Sequence, residues 1–352
     1  MKVGIIGFAR SGKTTVFNVL SGAHAAVGAF GSRDANVAVI KVPDARVDYL
    51  ASIYKPKKVA YAEVQFIDIA PNETGGESKV LDSAALNVLK NADALVHVVR
   101  AFQNEEIMHP KGSIDAVRDC KALEEELQLS DLIVIEKRIE RLEKEHSKSH
   151  ELDVLRRCRG HIEGGQSLRS LDLPPQDEHE INGFGFLSQK PTMILGNYGE
   201  EAIGKPDPSG LASYASENRF TLIDLCGKME LEVAELPEEE RKAFREDLGL
   251  GEESRTRFLH AACDMLGLMT FLTCCDTEAH AWMIRKGMHA VDAAGAVHSD
   301  IQRGFIRAEV VHFADFQAAR SMAKVKEQGH FHLEGKDYVV QDGDVILFRF
   351  NV

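Results

Sequence analysis

Residues 7 to 14 read Gly-Phe-Ala-Arg-Ser-Gly-Lys-Thr, and they join the apolar run Val3, Gly4, Ile5, Ile6 to the helix-like stretch Thr15, Val16, Phe17, Asn18, Val19, Leu20. A strand, a glycine-bounded loop and a helix in that order build a phosphate cradle. The two glycines let the backbone curl so that successive N–H groups and the helix N-terminus converge on an anion. Lys13 then reaches the outer phosphates, and the Thr14 hydroxyl is placed to ligate Mg²⁺. Gly7, Phe8, Ala9, Arg10, Ser11, Gly12, Lys13, Thr14 and Thr15 are thus the candidate nucleotide-binding residues of this segment. Arg10 projects from the loop and is a candidate catalytic group, supplying positive charge to a transferring phosphoryl. Screening of bound phosphates is the other role open to it.

A second site should hold the Mg²⁺ ion, and the run Val64, Gln65, Phe66, Ile67, Asp68, Ile69, Ala70, Pro71 fits it. Asp68 ends an apolar strand, where switch nucleotidases keep the carboxylate of the Mg²⁺ shell. Those proteins usually carry a glycine three residues later, whose N–H contacts the γ-phosphate. Pro71 has no N–H, so that contact is lost.

Base selection belongs to Asn197, Tyr198 and Glu200, after the strand Thr192 to Leu195. Guanine-specific switch proteins have Asn-Lys-x-Asp here, with the aspartate accepting two hydrogen bonds from the ring. A longer carboxylate without the flanking lysine does not offer that geometry, so guanine preference is expected to fall. Cys226 and Gly227 follow the last strand, Phe220 to Leu225, in the place of the loop that closes over the base.

Short apolar strands alternate with helical stretches up to about residue 120, which predicts a parallel sheet covered on both faces. Then the period changes. Leu132, Ile135, Ile139 and Leu142, followed by Leu152, Leu155 and Ile162, predict two amphipathic helices folded back as a hairpin. His97 lies inside the apolar strand Leu95 to Val99 and reads as a core histidine.

With 352 residues, two or three domains are expected, and an apolar fraction of 44% provides a full core. There is no run of 18 apolar residues, so no membrane partner is expected. Six cysteines without a Cys-x-x-Cys pair suit reduced thiols in a cytoplasmic protein. A net charge of -13 argues against broad binding to nucleic acid, and no DNA partner is expected.

Taken with these sites, three further stretches resemble the YchF / Obg-like ATPase family: Ala94 to Phe102 continuing through Asp115 to Asp119, Glu230 to Gly251, and Ala281 to Val352, which includes Gly304-Phe-Ile-Arg-Ala-Glu-Val310. The resemblance runs the length of the chain. It implies an α/β P-loop nucleotidase domain that prefers ATP, with GTP less favoured. It also implies a helical-hairpin insertion, a C-terminal TGS domain of ubiquitin-like β-grasp form, and association with the ribosome or ribosomal RNA through the TGS and helical domains. The expected boundaries are 1–120 and 173–266 for the nucleotide domain, 121–172 for the hairpin and 267–352 for the TGS domain. Ser32 is implied as the switch threonine's counterpart and a third metal contact. His109, in a loop before Pro110, aligns with a loop histidine of the family and is a candidate for orienting water.

The departures from the family pattern cluster around the γ-phosphate. Ala9, Arg10 and Ser11 replace Pro-Asn-Val in the loop, Pro71 replaces the glycine, and Asn72 stands where an apolar residue substitutes for a catalytic glutamine. Two readings stay open: a slow ATPase, or a module that senses nucleotide without hydrolysing it.

Overall fold

The computed structural model describes residues 1–22, 36–69, 80–146, 149–202, 205, 207, 209–247 and 254–351. Its strands are β1 (Lys2–Ile6), β2 (Asn36–Val42), β3 (Lys58–Ala60), β4 (Ala62–Asp68), β5 (Ala94–Ala101), β6 (Thr192–Tyr198), β7 (Thr221–Leu225), β8 (Leu268–Cys274), β9 (Glu278–Arg285), β10 (Phe305–His312), β11 (His332–Glu334) and β12 (Asp344–Phe350). The first helices are α1 (Lys13–Ser21), α2 (Ala45–Tyr54), α3 (Ser83–Lys90), α4 (Ala116–Lys144), α5 (His150–Glu163), α6 (Pro175–Ile181), α7 (Leu211–Glu217) and α8 (Gly227–Glu235). The chain divides into two compact units, Met1–Val39 with Gln65–Phe258 and Ile40–Val64 with Leu259–Val352.

In the first unit the sheet order is β2-β4-β1-β5-β6-β7. β1 pairs in parallel with β4 and β5, and β6 with β5 and β7. Helices on both faces leave such strands no solvent side, which is why β5 and β6 read as continuous apolar runs rather than alternating ones. The parallel sheet expected from the alternating pattern is present.

Helix α4 starts on the Asp115 side chain, which accepts a hydrogen bond from the Arg118 N–H at 2.9 Å. Its first turns bury Leu123 and Leu127 in the core with Leu89 and Leu95. Its later turns bury Ile135, Ile139 and Leu142 against Leu152, Leu155 and Ile162 of α5, the seam the spacing predicts. One continuous helix therefore serves both the nucleotide domain and the hairpin, and residue 121 lies within it. Asp131 stands between the two cores, its buried carboxylate accepting from the N–H groups of Leu187 and Ser188 at 2.8 and 2.7 Å.

In the second unit the sheet order is β11-β10-β12-β8-β9-β3. β8 and β9 form an antiparallel hairpin, β12 returns parallel to β8, and β10 is antiparallel to β12. The helix Ala290–Val297 buries Ala290, Ala293 and Ala294 with Phe271, Ile346 and Phe348. A helix laid across a mixed sheet in this order is the β-grasp arrangement. The segment 40–64, which the sequence places inside the nucleotide domain, clusters here: β3 extends the sheet beside β9, and Val47 and Leu50 of α2 pack with Leu272, Val311 and Val345. Asp44 caps α2 by accepting from the Arg46 N–H at 2.9 Å, and Arg46 reaches Asp342 at 2.7 Å.

Candidate functional site

The phosphate loop leaves β1 at Gly7, whose φ of 148° is open to glycine, and enters α1 at Gly12, with φ 90°. Both positions are also closed to larger residues. A Cβ on Gly7 would run into the Val98 carbonyl, and one on Gly12 into the Asn197 amide. Arg10 holds a left-handed φ of 63°. For a residue with a Cβ this costs roughly 1–2 kcal/mol. The Lys13 ammonium is buried in the loop and donates to the Gly7 and Phe8 carbonyls at 2.9 and 2.8 Å. Ser11 is buried beside it, while Ala9, Thr14 and Thr15 are partly exposed.

Pairing Ile5 with Asp68 brings the end of β4 level with this loop. Thr14 Oγ1 donates to Asp68 Oδ2 at 3.2 Å, and Asn36 Nδ2 reaches the same oxygen at 3.3 Å. Asp68 Oδ1 is buried and has no hydrogen-bond partner among the described residues. A carboxylate oxygen without a donor beside a threonine hydroxyl suits a hard cation, which takes oxygen ligands. Among the described residues no group of three or more His, Cys, Asp or Glu side chains is gathered to hold a metal. Any Mg²⁺ here would therefore depend on nucleotide phosphates and water for its remaining ligands. Ser32 lies outside the described residues, as do Pro71 and Asn72. Asn36 was not singled out by the sequence because a lone asparagine at a strand start carries no motif.

β5 delivers two buried basic side chains. His97 pairs with Ile6, and burial, helped by the Lys13 charge, pushes its pKa down to about 3, so the ring is neutral. That agrees with a core histidine. Arg100, 1% exposed, donates to the carbonyls of Phe102 and Asn104 and stacks on the Phe102 ring at 4.5 Å.

The two candidate catalytic residues come together. Arg10 Nη1 donates to the Met108 carbonyl at 3.2 Å, one residue before His109. His109 lies in the expected loop but is buried there. Its Nε2 stands 2.9 Å from Asp119 Oδ2, its Nδ1 accepts from the Lys111 N–H at 3.1 Å, and its ring packs 5.9 Å from that of Phe8. Burial lowers its pKa, against the upward pull of Asp119. In this arrangement both ring nitrogens already face protein groups. Asp119 escaped notice as a partner because only the fold brings the α4 N-terminus to that loop.

The base-reading residues divide. Asn197 holds the site together, its Nδ2 donating to the Ser11 carbonyl at 3.0 Å and its Oδ1 accepting from the Gly227 N–H at 3.0 Å. Tyr198 turns away, its hydroxyl donating to Asp207 at 3.1 Å. Glu200 Oε1 accepts from the Lys228 ammonium at 2.8 Å. Cys226 is buried at the N-cap of α8, and its thiol pKa is raised by that burial. Gly227 leaves room for Asn197, whose Oδ1 would lie 3.1 Å from a Cβ there.

Comparison with known proteins decides the family. The chain is 37% identical over 366 residues to the ribosome-binding ATPase YchF of Bacillus subtilis, covering 100% of both chains. The chain belongs to the YchF family. Its similarity to the ribosome-binding ATPase YchF of Escherichia coli O157:H7 is 36% over 360 residues, covering 100% of this chain and 99% of the relative. The solved structure of the Schizosaccharomyces pombe YchF GTPase superposes with a TM-score of 0.88 at 28% identity, over 99% of this chain and 97% of that one. A family model described as 50S ribosome-binding GTPase matches residues 2–147, and the YchF-GTPase_C model, described as a protein of unknown function, matches residues 268–351. YchF relatives thus carry both ATPase and GTPase in their names, and the base pocket has to be read from this chain's own residues.

Proposed function

We propose that this YchF-family protein binds ATP with Mg²⁺, hydrolyses it slowly and associates with ribosomes in the cytoplasm. The observation that carries the nucleotide part is Thr14 set against Asp68, with one carboxylate oxygen left without a donor among the described residues. Thr14 and Asp68 hold the Mg²⁺, which supplies charge neutralisation between the phosphates. Lys13 and the loop N–H groups bind the phosphates. ATP is favoured over GTP because Asn197-x-x-Glu200 lacks the aspartate and the neighbouring lysine that read guanine. Titration of the protein with each nucleotide tests this, and GTP binding as tight as ATP would sink it.

Slow hydrolysis follows from Pro71. A lost hydrogen bond from N–H to a charged phosphate is worth about 1.5–3 kcal/mol, roughly ten- to a hundredfold in rate where it acts in the transition state. Pro71→Gly is expected to raise phosphate release in multiple turnover, and an unchanged rate would place γ-phosphate sensing on Arg10 or His109. The second reading, a nucleotide sensor without hydrolysis, is favoured by one observation: His109 is buried, its Nε2 facing Asp119 at 2.9 Å and its Nδ1 accepting from the Lys111 N–H. Phosphate release indistinguishable from the Lys13→Ala background, with and without ribosomes, would select it.

Ribosome association is supported by the names of the relatives. The β-grasp unit and the hairpin are the surfaces proposed for it. From residue 268 on, nine Lys and Arg stand against eleven Asp and Glu, so contact rests on a local patch rather than on net charge. Co-sedimentation of the full chain with ribosomes, with ATP and without, checks it.

A further inference from the structure

We propose that Lys228 is a specificity-determining residue, holding the Glu200 carboxylate away from guanine and so biasing the base pocket toward adenine. The inference rests on the reading of this edge of the sheet as the base pocket. β6 and β7 are parallel neighbours, with Asn197 opposite Leu225, so the turn Glu200–Ala202 and the start of α8 leave the same edge of the sheet. Asn197 ties both to the phosphate loop through Ser11 and Gly227.

Glu200 and Lys228 meet across that edge at 2.8 Å, and Glu232 stands 4.0 Å from the same ammonium along α8. Guanine presents its ring N–H and 2-amino donors to an acceptor, and a free glutamate, though too long for the paired geometry of an aspartate, still offers an acceptor to one of them. Adenine has no ring N–H on that side. A carboxylate already accepting from an ammonium must give up that bond before it can accept from guanine, whereas adenine asks nothing of it. The pair is solvent-exposed, with side chains 71% and 52% accessible, so it adds little to stability. Its removal therefore tests recognition without unfolding the protein.

The experiment is isothermal titration of the full chain with ATP and with GTP, in Mg²⁺, for wild type, Lys228→Met and the double variant Lys228→Met, Glu200→Gln. Lys228→Met is expected to tighten GTP relative to ATP by about two- to fivefold, the most that an exposed ion pair can withhold. The double variant should lose that gain, since an amide replaces the carboxylate. An unchanged or weaker GTP affinity in Lys228→Met, with wild type preferring ATP, overturns the role of Lys228 and leaves the ATP reading standing. An equal loss for both nucleotides also overturns it, showing that the pair only braces the two loops. Wild type that binds GTP as tightly as ATP removes the ATP reading itself.

Discussion

At the scale of single residues, the nucleotide unit carries two costs that experiments can recover. Among the described residues His97 has no hydrogen-bond partner at Nε2, and it is held neutral, its pKa pushed from 6.5 to about 3. The folded value is depressed, so the unfolded chain takes up a proton there as pH falls below 6.5 while the folded chain does not. Stability from the neutral ring is complete above 6.5 and drains away as pH drops toward 3. Urea midpoints measured from pH 7 to pH 4 should fall for wild type and fall less steeply for His97→Leu. Arg10 is the second cost. Asparagine tolerates the left-handed conformation better than arginine does, so Arg10→Asn is expected to stabilise the fold by about 1 kcal/mol, read as a raised Tm. If Arg10 also supports phosphoryl transfer, the same variant hydrolyses ATP more slowly.

At the scale of elements, α2 shows how a cap can join distant parts of a chain. Asp44 accepts from the Arg46 backbone N–H, from its guanidinium and from Thr270 Oγ1 at 2.9 Å. Burial alone would raise its pKa, but the Arg46 guanidinium and these donors hold it below the ordinary carboxylate value of 3.8. That stability is present above 3.8 and lost as pH falls through the depressed folded value. Asp44→Ala should cost about 1–2 kcal/mol through the lost cap, with acid sensitivity reduced in the variant, measured by chemical denaturation at pH 7 and pH 3.5. The hairpin was legible at this scale because its 3-4-3 spacing of leucine and isoleucine is a local signal. The boundary expected at residue 121 followed the change of apolar period, although no glycine or proline interrupts Ala116–Lys144 and nothing there ends a helix.

At the scale of the whole molecule, the C-terminal unit is not a terminal segment alone. Val47 and Leu50 are fully buried against residues that follow 267, and β3 pairs with β9. Truncation after Gly267 should therefore expose this apolar surface and yield a protein that aggregates or is cleaved within 40–64 under limited proteolysis. A truncated chain that stays monomeric and protease-resistant there would show that α2 finds other cover. The amino-acid sequence by itself determined the phosphate loop, Asp68, the hairpin seam and the family, because each is written in neighbouring residues or in a full-length resemblance. Only the tertiary structure decided that segment 40–64 joins the β-grasp unit, that His109 is buried facing Asp119, and that Lys228 takes hold of Glu200. Segment 40–64 and Lys228 meet residues distant in the chain, and His109 meets Asp119 through the turn into α4 rather than through a helical or strand period, so short-range periodicity carries no record of such meetings.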